Sequence, residues 1–134
     1  MDIDTHIQRV ESGLSSRPGV VAVENPNIKR LPKGGHRAII SVRLCFFDGS
    51  FLDIHENVDT CKSFPQLLTY SYQYVNKSGE QVFRYDNAPH HPEVATHPYH
   101  KHIGPDDNEN IVASGCPSHS GIFKEIIQYL TQAM

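Results

Sequence analysis

Five of the chain's nine histidines fall in one stretch, YDNAPHHPEVATHPYHKHIGP, at residues 85–105: His90, His91, His97, His100 and His102. Imidazole titrates near neutral pH, so such a group offers acid/base pairs, metal ligands or neither. Cutting RNA without a metal needs a base for the 2′-hydroxyl proton, an acid for the departing 5′-oxygen and donors for the phosphate in between. Histidines fill the first two roles. Arg84, two residues before Asp86 and on the same face of a regular strand, grips a phosphate with its fork of donors while Asp86 orients it or a histidine. From neighbouring strands, Tyr72 or Tyr74 would stack on a base or give up a proton. A metal asks for a different pattern. If extended, His100-Lys101-His102 turns both imidazoles to one side, and His90, His91 or His97 would supply a third ligand to zinc or another divalent ion, with water completing the set. Asp86 and Glu56 would then add oxygen ligands. In the third reading the stretch is a polar cover over a sheet with no chemistry to do.

The elements that must hold these residues follow from punctuation and periodicity. Ala88-Pro89, His91-Pro92, His97-Pro98 and Gly104-Pro105 bias the residues before them against the helical region, so residues 86–105 read as an extended, partly stiffened rim following the last strand. Ahead of it, period-two runs succeed one another: VVAVE, RAIISVRLCFF, SFLDIHENV, LLTYSYQYV and EQVFRYD. Asp48-Gly49 predicts a two-residue hairpin turn, and Asn76-Lys77-Ser78-Gly79 a second tight link. Alternation puts Ala38, Ile40, Val42, Leu44 and Phe46 on the core side of one strand, and Leu68, Tyr70, Tyr72 and Tyr74 on one side of another. The tyrosine stripe reads as half-buried packing. Ile3, Ile7, Val10 and Leu14 mark an N-terminal helix; Ile122, Phe123, Ile126, Ile127 and Leu130 mark a C-terminal one, capped by Ser118 or Ser120. The expected fold is α+β: an antiparallel meander sheet of about five strands packed by the two helices, as a single compact domain over residues 1–134.

Composition narrows the partners. With 134 residues and a net charge of −3, the chain is no basic nucleic-acid coat protein. Its cations are unevenly spread, however: Lys29, Arg30, Lys33, Arg37 and Arg43 lie in a stretch without an acid, which is either an RNA-binding stripe or a solvated face. Cys45, Cys61 and Cys116 have no CxxC spacing, and neither a signal segment nor a membrane-spanning run is evident, so a cytoplasmic protein with reduced thiols is expected. Gly115-Cys116-Pro117-Ser118-His119 reads as a loop and helix cap rather than a nucleophile, and Lys33-Gly34-Gly35-His36 as a turn.

The run from Phe47-Asp48-Gly49-Ser50 through Tyr70-Ser71-Tyr72-Gln73-Tyr74 to Phe83-Arg84-Tyr85-Asp86-Asn87-Ala88-Pro89-His90-His91-Pro92, closed by His100-Lys101-His102, resembles the TumE-like toxins of prokaryotic toxin–antitoxin pairs. RYDNAPHHP followed by HKH is its specific part. The resemblance implies a small growth inhibitor masked by a cognate DNA-binding antitoxin. Matched to the motif, its functional residues are Arg84, Asp86, Asn87, His90, His91, His100 and His102, with Glu56 and Tyr72 as candidates from neighbouring strands. By analogy of fold with compact ribonuclease toxins, RNA is the expected substrate and histidine acid/base chemistry without a cofactor the expected mechanism. A metal-dependent hydrolase or nuclease using His100 and His102, and a non-enzymatic protein-binding module, are the alternatives; an oligomer is compatible with each.

Overall fold

The computed structural model describes residues 2–32, 35–62, 65–107 and 109–132. Helix α1 (Ile3–Ser15) is followed by strands β1 (Val20–Leu31), β2 (Arg37–Phe46), β3 (Phe51–Asp59), β4 (Gln66–Val75), β5 (Gln81–Asp86), β6 (His100–Ile103) and β7 (Ile111–Ala113), and the described chain closes with helix α2 (His119–Gln132). All seven strands form one sheet in sequence order, each antiparallel to the next.

The α+β meander between two helices is therefore present, with seven strands rather than about five. The added pair comes from segments expected to be rim and loop. HKHI is too short and polar to stand out as a strand, but β5 needs a partner for its outer backbone groups, and β6 supplies it. The residues from Ala88 to Tyr99 are likewise not extended. Successive bonds from His90 N–H to Ala88 O, Val94 to His91, His97 to Val94 and Tyr99 to Thr96 fold them into tight turns. This compact loop buries Val94.

Both helices cover one face of the sheet. Ile7 packs with Ala38, Ile40 and Val58, while Val10 and Leu14 join Ile122, Phe123, Ile126 and Leu130 against Leu44, Phe46, Leu52, Ile54 and the buried Tyr70, Tyr72 and Tyr74. The tyrosine stripe is packing, as expected, but fully buried rather than half-buried, with Tyr70, Tyr72 and Tyr74 at 3%, 1% and 0% exposure. Two other details differ. A bulge beside the Asn57–Thr69 pair turns Leu67 toward the core and leaves Leu68 exposed, and Ile127 lies at the exposed rim of α2's stripe. Ser118 caps α2, its Oγ accepting from Gly121 N–H at 3.0 Å.

Asp48-Gly49 is not a two-residue turn. Phe46 and Ser50 close a loop of three residues in which Gly49 alone takes positive φ, +93°, and Asn76–Glu80 repeats the device with Gly79 at +85°. These two hairpins fix the register of β2 with β3 and of β4 with β5, and so which side chains meet within each pair on the face away from the helices.

Candidate functional site

On that open face, antiparallel pairing lines the polar residues up in two rungs. One runs Ser41, His55, Ser71, Asp86, His100, and the next runs Arg43, Asp53, Gln73, Arg84, His102. Each step along a rung is one strand spacing, about 4.8 Å. At the β5–β6 end, four of the expected site residues converge. Asp86 Oδ1 lies 2.9 Å from His100 Nε2, and Oδ2 lies 3.4 Å from His102 Nε2. The two imidazole Nε2 atoms are 3.0 Å apart. Arg84 reaches Asp86 Oδ2 through Nε at 3.0 Å, Asp107 Oδ2 through Nη1 at 2.7 Å and His102 Nε2 through Nη2 at 3.1 Å.

The ring orientations are set from outside the cluster. His100 Nδ1 is 2.8 Å from the Pro98 carbonyl, and His102 Nδ1 is 2.8 Å from the Asp107 carbonyl. A carbonyl only accepts, so in each ring Nδ1 carries the proton and Nε2 is turned inward. Both rings are only 2% exposed. Burial lowers the His102 pKa below the usual imidazole value, and the nearby Arg84 charge pushes the same way.

The loop after β5 closes the end of the cluster. It brings the His91 ring edge-on to His100 and His102, with centroids 4.9 and 5.4 Å away, while His91 Nδ1 faces Glu93 Oε1 at 3.2 Å. His90 stays exposed at the mouth of a cleft of about 430 Å³ that Arg84, Asp86, His91, His100 and His102 help to line. Asn87 works on the backbone: its Oδ1 accepts from Tyr70 N–H and its Nδ2 donates to Leu68 O, both at 3.0 Å, bridging the irregular start of β4. His97 is exposed and outside this cleft.

Glu56 and Tyr72, grouped with these residues by the resemblance, lie on the other face. There the Tyr72 hydroxyl donates to Glu56 Oε2, and His119 Nε2 meets the same oxygen at 2.7 Å. Burial pushes the Glu56 carboxyl up, but the hydrogen bond and charge of His119 and the Tyr72 donor outweigh it and leave the carboxyl below its usual range. His6 of α1 adds a buried Nε2 without a hydrogen-bond partner to the same cleft between the helices. Tyr72, 1% exposed, offers no surface for stacking on a base.

The basic stretch is divided too. Arg30 pairs with Asp4 of α1 at 2.6 Å, Arg43 holds Asp53 with two bonds of 2.7 and 2.9 Å, and Arg37 reaches Asn57 at 3.4 Å. Lys29 is exposed on β1, and Lys33 lies outside the described residues. The sheet therefore uses two of these cations internally.

Four contributors were missed. His55 is legible from alternation with Leu52 and Ile54. His119 lay in a segment read as a plain cap, His6 within an ordinary helix pattern, and Asp107 in an acidic loop whose return to Arg84 no local pattern signals.

No helix among the described residues is long and apolar enough to cross a membrane. No curated protein and no solved structure matches the chain. A family model described as "Toxin TumE" matches residues 14–134, which takes in all seven strands, the loop that carries His90 and His91, and α2. The chain belongs to the TumE toxin family.

Proposed function

We propose that the protein arrests growth by cutting RNA at the open-face cluster, in the cytoplasm, until a cognate DNA-binding antitoxin masks it. The observation that carries this reading is the convergence of Arg84, Asp86, His91, His100 and His102 at the floor of one cleft, on the sheet face that the helices leave open. A phosphodiester entering the cleft meets a guanidinium and several imidazoles within one strand spacing, the combination that a developing phosphorane requires. In attack by the 2′-hydroxyl, its oxygen bonds to phosphorus, its proton passes to a base, and the 5′-oxygen departs with a proton from an acid. The products are a 2′,3′-cyclic phosphate and a 5′-hydroxyl.

On this reading the histidines divide into different roles. His100 and His102 turn their inward nitrogens onto Asp86 and each other, so they serve the site as a hydrogen-bonded floor rather than as free proton carriers. His90, exposed at the mouth, is the imidazole placed to exchange protons with substrate and water. A water-attack reaction assisted by a metal is the second reading, favoured by the inward-facing nitrogens, and it leaves a 5′-phosphate instead.

RNA from cells briefly expressing the protein, mapped for new ends and their chemistry, tests the proposal. New ends should appear with the wild-type chain and vanish with His91→Ala at equal protein level. Growth arrest without new ends, or arrest that survives combined alanine changes at His90, His91, His100 and His102, overturns it in favour of a module that acts by docking a partner.

A further inference from the structure

We infer that His91, His100 and His102, with Asp86, form a binding site for one divalent transition-metal ion of the zinc class. The first ground is orientation. In all three rings Nδ1 is held by an oxygen outside the cluster: the Pro98 carbonyl for His100, the Asp107 carbonyl for His102 and the Glu93 carboxylate for His91. In each ring the nitrogen not held from outside is Nε2, and in His100 and His102 it faces Asp86, Arg84 and the other ring, the contacts an ion would replace. Such outer partners, carbonyl or carboxylate, are what fix a ligating histidine's tautomer and raise its basicity in metal sites.

The second ground is arrangement. One ligating atom from each histidine falls within 4.8 Å of the others, and the three rings are mutually edge-on, at 69°, 76° and 69°. Asp86 brings a carboxylate oxygen to 2.9 Å from His100 Nε2. Three imidazole nitrogens and one oxygen suit zinc and its neighbours, whereas magnesium and calcium take sets of oxygen atoms.

The third ground is a contrast. Without an ion, the contact of His100 Nε2 with Asp86 and the Arg84 donor on His102 Nε2 satisfy the buried pair, and this arrangement has no use for His91. A cation at the centre uses all three rings. The inference deepens the functional reading given above, yet it does not depend on RNA being the substrate.

The test uses the full chain, purified without a histidine tag or a metal resin. Elemental analysis after dialysis should find about one equivalent of zinc per chain, and Co²⁺ added to stripped protein should give the visible absorption of a low-coordinate nitrogen–oxygen site. Because losing even an outer partner costs about 10–100-fold in affinity, His91→Ala and Asp86→Asn should each weaken Zn²⁺ binding at least about tenfold, with the circular dichroism of the folded chain retained. Less than about half an equivalent of zinc with no cobalt spectrum overturns the site and leaves a hydrogen-bonded network of Asp86, Arg84, His100 and His102. Binding that both variants leave undiminished overturns it as well, because the metal then sits elsewhere. Protein that binds zinc as expected and leaves RNA intact keeps the site and removes the ribonuclease reading.

Discussion

At the scale of residues, the sheet separates side chains that look like one set in sequence. Ser71 and Tyr72 are neighbours in β4, yet Ser71 pairs across to Asp86 on the open face, while Tyr72 points under the helices to Glu56. Tyr72 is therefore a positioning and packing residue of the opposite cleft. Tyr72→Phe removes a buried donor from the ionised Glu56 and should destabilise the fold by about 1–3 kcal/mol, measured by urea unfolding. RNA cutting by the folded fraction should be unchanged. A loss of cutting that exceeds the loss of folded protein would reunite Tyr72 with the open-face cluster. The motif RYDNAPHHP and HKH was legible as one cluster because period two puts Arg84 with Asp86, and His100 with His102. That Glu56 answers instead to His119 and His6 depends on parity in β3 and on two helices distant in sequence, which no local pattern reports.

At the scale of elements, the strands with strong alternation, β2 to β5, and both amphipathic helices were legible, because each carries its own period. The hidden elements were the short ones whose reason to exist is a neighbour. β6 forms because β5 has an outer edge to satisfy, and β7 because β6 has one in turn. The turns give a sharper case. Both central hairpins need a left-handed glycine at the third loop position, and a Cβ on Gly49 would meet only Lys77 Cβ, at 3.8 Å. Gly49→Ala is free of steric conflict, so its cost is conformational: about 1–2 kcal/mol, read from the unfolding midpoint. Alanine tolerated without loss would show that the loop can take another turn type. At the sheet's other edge, β1 is long and exposed, but register shifts at Val20/Ala22 and Glu24/Asn27, a left-handed Asn25 and Pro26 break its run of free backbone groups.

At the scale of the whole molecule, each face of the sheet has its own cluster of ionisable groups. On the helix side, burial lowers the His6 pKa below 6.5, with Glu56, His119 and Arg9 facing it, and Glu56 is held below 4.5. In both cases the unfolded chain binds more protons than the folded one, so stability falls as pH falls. His6 contributes fully above pH 6.5, and its share is lost as pH drops through its folded value; Glu56 contributes fully above pH 4.5 and is lost later. His102, whose pKa is also lowered, adds to the first stage, so urea midpoints should decline in two stages on acidification, and His6→Gln should shrink the first without abolishing it. A midpoint independent of pH between 7 and 5 would contradict the burial of a neutral His6.

The two rungs of the open face carry one more consequence, for when in its life the molecule can act. Asp86 meets His100 and Arg84 meets His102 only in a single pairing of β5 with β6, and a slip of β6 by one position would send His100 and His102 to the opposite face, away from Arg84 and Asp86. A mispaired or half-made chain therefore has the right amino acids and no site. On the proposed function, cutting cannot begin until the sixth strand has docked, so a chain still being made is harmless.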